Sequence, residues 1–170
     1  NGRIQEELTA QEKDCQPDLR QLLFEIDWFC KEKAVPGVVI TQLFRTVDEQ
    51  VKIYVPYWRE LVSKLANGVK LSPQNAKLAV ELHGASEAQL IDRALSKTSW
   101  HMMHCAADIR SRHYTPDQLK LVVGFIGEKT KNTKRWEFLV HDVAGPHIHI
   151  GVRDFQYFAK YNPLKKGKNS

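Results

Sequence analysis

The chain has 170 residues, 42% of them hydrophobic and 26% charged, which predicts one globular domain and excludes a disordered or fibrous chain. Its 25 lysines and arginines outnumber 20 aspartates and glutamates, and the net charge of +5 suits an anionic partner such as nucleic acid, a cell-wall polymer or phospholipid. No apolar run approaches the roughly 20 residues of a membrane-spanning helix, so no membrane span is expected. The odd number of cysteines argues against a disulfide scaffold.

Proline and capping signals predict where the helices begin. Five starts carry such a signal: Pro17, Thr46 with Glu49, Ser72 with Pro73, Ser86 with Gln89, and Thr115 with Gln118. Apolar or alternating runs predict three strands, at 38–40, 136–140 and 147–152. We therefore expect an α+β fold, with a small, mostly antiparallel sheet and helices packed on one of its faces. The prediction is a single domain over residues 1–170, loosely ordered at 1–16 and 162–170.

The last predicted strand alternates strictly between two kinds of side chain. Because side chains two residues apart lie on the same face of a strand, His147, His149 and Gly151 share one face. The other face, made of two isoleucines and a valine, is predicted to pack on the core. The histidine face would present two imidazoles beside a glycine that leaves space above the sheet. This arrangement favours metal binding or proton transfer.

A second histidine-rich segment covers residues 99–108. Histidine and aspartate are common zinc ligands, and a catalytic zinc keeps three protein ligands. His101 and Asp108, together with one histidine from the later strand, would complete such a set. The alternative interpretation is structural: His101 would cap a loop, and Asp108 would pair with Arg110 or Arg112.

Three segments of the chain, in the same order, resemble a known enzyme family. The central one is similar to the Ser-x-His-x-x-Gly-x-Ala-x-Asp motif of the zinc D-Ala-D-Ala carboxypeptidase and L-Ala-D-Glu endopeptidase family, and it reads Ser99-x-His101-x-x-His104-x-Ala106-x-Asp108. The run from Val39 to Tyr54 resembles the family's Ile-Thr-x-x-x-Arg-Thr-x-x-Glu-Gln segment. The run from His149 to Arg153 resembles its closing metal-ligand strand, and His147-Ile148-His149 is similar to the corresponding strand of the hedgehog signalling domain. The family cuts peptidoglycan peptides and includes many phage endolysins.

The resemblance implies a role for particular residues. The family's zinc-ligand positions match three residues: His101, Asp108 and His149. Arg45 would face the substrate carboxylate or carbonyl oxygen, and Ser99 would contact the substrate. His104 stands where the family has glycine, so it would crowd the site or add a fourth polar group there.

The general base is the point at which the chain departs from the family. Pro146 occupies the usual carboxylate position, three residues before the last ligand, and proline cannot transfer a proton. His147 is the first replacement, since it shares a strand face with His149 and histidine can take a proton near neutral pH. Asp142, in the preceding loop, is the second replacement.

The predicted function is zinc-dependent hydrolysis of peptidoglycan stem peptides by a metal-activated water. Zinc would polarise the scissile carbonyl and a guanidinium would hold the developing oxyanion. The basic surplus would then help the enzyme to sit on an anionic wall, and nucleic acid is not expected as a partner. A peptidase of this kind would work in the cell envelope, the periplasm or a virion.

Two alternatives stay open. The domain could bind zinc for recognition without activity, as a hedgehog-like domain could. It could also be a single-stranded DNA nickase, because its His-hydrophobe-His strand and Tyr157-x-x-Lys160 resemble the metal site and nucleophile motif of rolling-circle replication enzymes. The nickase interpretation leaves four residues unexplained: Arg45, Ser99, His101 and Asp108.

Overall fold

The computed structural model describes residues 14–141 and 146–163, which contain six α-helices, one short 3-10 helix and one four-stranded sheet. In chain order the elements are α1 (Pro17–Glu32), β1 (Ile40–Gln42), α2 (Val47–Ala66), α3 (Pro73–Leu82), α4 (Glu87–Ser96), the 3-10 helix (Trp100–Met103), β2 (Ala106–Arg110), α5 (Pro116–Lys129), β3 (Trp136–His141), β4 (His147–Val152) and α6 (Phe155–Tyr161). The α+β prediction is confirmed. Among these described helices, none is long and apolar enough to cross a membrane.

The helix starts follow from local hydrogen bonds. Thr46 and Ser86 each form the predicted capping box, in which the hydroxyl accepts from a backbone N–H three residues on, and Thr115 at the start of α5 forms one too. Ser72 caps α3 in the same way. Such a cap satisfies backbone donors that the first turn of a helix leaves without partners. The first helix is capped by the side chain of Gln16, which accepts from Leu19 N.

The four strands pair antiparallel in the order β1-β2-β4-β3, so β2 and β4 lie in the middle of the sheet. The predicted strand at 38–40 is wrong in its bounds, because β1 begins only at Ile40. The preceding residues still belong to the fold, since Val38 is buried and the carbonyl of Val39 accepts from Arg110 N at 2.9 Å.

One face of the sheet packs against helices. Ile148, Ile150 and Val152 of β4 are fully buried. They share one hydrophobic cluster with residues from α1 and α5, namely Leu19, Leu22, Leu23, Ile26, Val122 and Ile126. The apolar face of β4 is therefore the core face, and the histidines lie on the opposite face of the same strand.

The described chain divides into two compact units. Residues up to Arg45 and from Ser99 onward form the first, and Thr46–Thr98 form the second. The second unit is helical and has its own core: Val55, Trp58, Leu82, Leu90 and Ala94. The single peptidase-like domain stays a prediction.

The two chain ends, predicted to be loosely ordered, are described only in part. Residues 1–13 and 164–170 lie outside the described residues. Within the described part of the N-terminal segment, Cys15 and Gln16 are buried.

Candidate metal centre

The sheet and the 3-10 helix bring the three proposed ligands together in the first unit. Asp108 of β2 lies directly opposite His149 of β4 in the strand register, so the two side chains share a face. His101 belongs to the 3-10 helix that immediately precedes β2. The sequence prediction that these residues meet is thus realised in the geometry of the first unit.

The ligand atoms converge closely. One atom each from His101, Asp108 and His149 lie within 4.8 Å of one another. Nδ1 of His149 is 2.8 Å from Oδ1 of Asp108, and Nε2 of His101 is 3.3 Å from the same oxygen. His101 is almost fully buried, with 2% of its surface exposed. Within the described residues, Asp108 pairs with histidines and not with Arg110 or Arg112, so the structural alternative for Asp108 is not seen.

The tautomer of His101 follows from its second nitrogen. Nδ1 of His101 lies 3.0 Å from the backbone oxygen of Leu43, and a carbonyl oxygen can only accept, so Nδ1 carries the hydrogen. In the neutral ring Nε2 then holds a lone pair. Among the described residues Nε2 has no hydrogen-bond partner, although it is buried and faces the Asp108 oxygen. Two lone pairs that face each other in a buried site favour a cation between them.

The protonation states agree with a ligand set. Burial lowers the pKa of His101, against the opposing effect of Asp108, and the nearby charge of Arg45 lowers it further. Burial alone would raise the pKa of Asp108, but the adjacent His101 and His149 outweigh it and hold that pKa well below its usual range. A neutral imidazole and an ionised carboxylate are the forms that bind metal ions.

His147 lies beside the ligands. Its Nε2 is 3.8 Å from Oδ1 of Asp108, and the side chain is largely buried. His147 therefore lies on the same face as His149, as the alternation of the strand predicted. The other base candidate, Asp142, lies outside the described residues.

Glu137 is a residue of this region that sequence analysis missed. Its Oε1 lies 3.0 Å from Nε2 of His149, the ring nitrogen that faces away from Asp108. The signal that could have found it is the pairing of β3 with β4: in the observed register Glu137 opposes Gly151 and therefore lies on the histidine face.

Arg45 is buried, with 8% of its surface exposed. Its Nε donates to Oε1 of Gln42 at 3.0 Å, and its Nη2 contacts the same oxygen. The guanidinium is close enough to His101 to lower the pKa of that ring. Ser99 caps the 3-10 helix, where its hydroxyl accepts from His101 N at 3.3 Å, so its observed contact orients a proposed ligand.

His104 has a backbone φ of 58°, in the left-handed region that favours glycine, which is the residue of the family motif at this position. Its ring stacks on Phe44 with centroids 4.4 Å apart and meets Tyr161 at 4.5 Å. These observed contacts place the ring in an aromatic cluster, outside the group of ligand atoms.

Gly151 does not leave open space above the sheet, which corrects that expectation. A side chain at this position would overlap the indole ring of Trp100. The absent Cβ thus lets Trp100 lie directly on β4. On this face of β4, the indole ring of Trp100 therefore covers the strand at Gly151, next to the two histidines.

Tyr157, the nucleophile of the nickase alternative, lies on α6. It packs against the hydrophobic core cluster and against Tyr161, with ring centroids 5.5 Å apart. Burial raises the pKa of Tyr157, which makes its phenolate harder to form. Both observations are those of a packing residue.

No protein-family model, no curated protein and no solved structure matches the chain.

Proposed function

We propose that this protein is a zinc-dependent peptidase that hydrolyses peptidoglycan stem peptides. The observation that carries the proposal is the convergence of His101 Nε2, Asp108 Oδ1 and His149 Nδ1 around one point, with a buried lone pair on His101 that has no partner among the described residues. Two imidazoles and one carboxylate make a nitrogen and oxygen ligand set that zinc accepts, and three protein ligands are typical of catalytic zinc.

Zinc, when bound, would supply a Lewis acid that activates water and polarises a carbonyl. The residues of the chain would hold the metal ion and the substrate. Oδ1 of Asp108 lies 3.3 Å from Nε2 of His101 and 2.8 Å from Nδ1 of His149, so the three groups could bind the same ion. Arg45, buried and near His101, would hold the oxygen of the scissile bond or the substrate carboxylate.

His147 is the proposed general base. Nε2 of His147 is the atom that would hold the transferred proton, because it lies 3.8 Å from the Asp108 oxygen on the same face of the sheet. Pro146, which occupies the family's carboxylate position, is exposed immediately before β4. Asp142 is the second candidate.

The substrate class rests on the resemblance to the cell-wall peptidase family and on charge. The ligand positions occur in the family's order and spacing, and the net charge of +5 favours an anionic polymer such as a cell wall. A place in the cell envelope, the periplasm or a virion follows if this proposal holds.

The experiment is hydrolysis of two defined stem peptides by zinc-loaded protein, one ending in D-Ala-D-Ala and one containing L-Ala-D-Glu. We expect one peptide to be cut, and His101→Ala to abolish the cleavage. His83→Ala is the matched control, since His83 is exposed and lies in the second unit.

Three results would contradict the proposal. Zinc binding without cleavage of either peptide would favour a recognition module. Cleavage by the His101→Ala variant would show that the peptidase activity does not depend on this metal site. Nicking of a labelled single strand that is lost in Tyr157→Phe would favour the nickase.

A further inference from the structure

We propose that Glu137 is a positioning residue of the metal centre, which holds the His149 ring so that Nδ1 is presented to the metal. This inference rests on the proposed function, because it concerns the same ligand set. It adds a residue that belongs neither to the three ligands nor to the segments that resemble the peptidase family. The observation behind it is the 3.0 Å contact between Glu137 Oε1 and His149 Nε2.

The strand register explains how Glu137 reaches this nitrogen. Leu139 of β3 is the direct partner of His149, and Glu137 is the direct partner of Gly151. Glu137 is therefore the diagonal neighbour of His149 on the same face, a distance that a long side chain can span.

The two nitrogens of His149 have different tasks in this arrangement. A carboxylate can only accept, so a hydrogen on Nε2 is donated to Glu137, and a hydrogen on Nδ1 is donated to Asp108, whose Oδ1 lies 2.8 Å away. A metal ion at the shared point would take the place of the Nδ1 hydrogen, while Glu137 still accepts from the hydrogen that remains on Nε2. Glu137 thus selects the tautomer that a metal ligand needs.

The ring of His101 is also oriented by an acceptor on one nitrogen, which here is a backbone carbonyl. Its Nδ1 donates to the Leu43 carbonyl at 3.0 Å, and its Nε2 faces Asp108. Each imidazole therefore has an acceptor on the nitrogen that faces away from the shared point. This symmetry separates Glu137 from an incidental surface contact, because both rings are oriented toward the same oxygen.

The degree of exposure makes the inference testable. The Glu137 side chain is 44% exposed, and exposed ion pairs contribute little to stability. Removal of this carboxylate should therefore change metal affinity while it leaves the melting temperature of the metal-free protein nearly unchanged. A residue with a purely structural role would change both together.

The experiment measures zinc affinity by competition with a chromophoric chelator for wild type, Glu137→Gln and Glu137→Ala. We expect roughly a 10- to 100-fold loss for the alanine variant, the size typical of such supporting contacts. The glutamine variant should fall between, because its amide oxygen can still accept from Nε2. Glu128→Ala, which removes an 81% exposed carboxylate from α5, should match wild type.

A second readout is the Nε2–H resonance of His149 in nitrogen-15 NMR of the zinc-loaded protein. We expect this proton to be protected in wild type and to exchange faster in Glu137→Ala. An affinity of Glu137→Ala within twofold of wild type would overturn the inference. A loss of affinity matched by a lower melting temperature of the metal-free protein would overturn it too.

The two proposals fail separately. If His101→Ala abolishes zinc binding and Glu137→Ala does not weaken it, only the role of Glu137 is wrong. If His101→Ala binds zinc as wild type does, the ligand set itself is wrong.

Discussion

The two faces of strand β4 are held in different ways. On one face Ile148, Ile150 and Val152 are fully buried among apolar side chains. On the other, the His149 side chain is 14% exposed and each of its nitrogens faces a particular carboxylate oxygen. The apolar face is stabilised by the total area it buries, whereas the histidine face depends on individual atom pairs. Substitutions on the two faces should therefore affect different properties.

Among variants that keep all three proposed zinc ligands, the largest effect on turnover is expected at His147. His147→Gln keeps the size and polarity of the side chain but cannot act as a base near neutral pH. We expect zinc content to be retained and kcat to fall by about 10²- to 10⁴-fold, the usual contribution of general acid–base catalysis. The measurement is steady-state kinetics on the peptide that wild type cuts.

Asp142→Asn is the comparison for His147→Gln. If His147→Gln remains active and Asp142→Asn does not, the loop carboxylate is the base. If both variants keep wild-type turnover, neither residue is the base and the peptidase proposal loses its proton acceptor.

On the apolar face the expected effect is on stability. Ile150→Ala removes a fully buried side chain from the core and should lower the free energy of unfolding by about 2–5 kcal/mol. Urea denaturation measures this difference. Zinc affinity of the folded variant should stay near wild type, because Ile150 points away from the ligands. A large loss of affinity without a loss of stability would show that the two faces are not independent.

A substitution at Arg45 tests whether catalysis depends on the shape of the guanidinium or on its charge alone. Arg45→Lys keeps the charge but loses the forked arrangement of the guanidinium. We expect kcat/KM to fall on the order of tenfold, with zinc content unchanged. Arg59→Lys, at an exposed ion pair with Glu87, is the matched control and should be silent. Equal kinetics for wild type and Arg45→Lys would remove Arg45 from the site.

The smallest effect is expected on the free energy of unfolding at low pH. The apolar face of β4 has no titratable group, so the test uses Asp154. Asp154 follows β4 and caps α6. Burial alone would raise its pKa, but hydrogen bonds from Gln16, Tyr157 and Gln156 lower it below the usual aspartate value. Since the folded-state pKa is lowered, the stabilisation is present above the ordinary pKa of about 4 and is lost as pH falls through the lowered value.

Asp154→Asn should test this assignment. Asparagine is also a good N-cap, so the free energy of unfolding at pH 7 should fall by less than about 1 kcal/mol. Below pH 4 the variant should lose stability less steeply than wild type. Identical pH profiles from chemical denaturation would contradict the role of the Asp154 charge.

The parts of the fold that sequence analysis predicted correctly depend on neighbouring residues. The predicted capping boxes at Thr46 and Ser86 each involve residues three apart, and both are present. The start of β1 was misplaced because a strand is defined by its partner. An apolar run marks an extended segment, but the pairing of Ile40 with Ile109 decides where the ladder begins.

The candidate site shows the same limit. The alternation of β4 correctly placed His147 and His149 on one face, since that depends on one strand. The facing of Asp108 and His149 depends on the register between β2 and β4, which no local pattern fixes. The Leu43 carbonyl could not be predicted at all, because any residue type supplies a backbone oxygen.

The central claim is that His101, Asp108 and His149 bind one zinc ion. The most direct test is the zinc content of purified protein after dialysis against a weak chelator, measured by mass spectrometry for wild type, His101→Ala and His83→Ala. We predict one zinc per chain for wild type and for His83→Ala, and none for His101→Ala. Full zinc content in His101→Ala, or none in wild type that has been supplied with zinc, would contradict the claim.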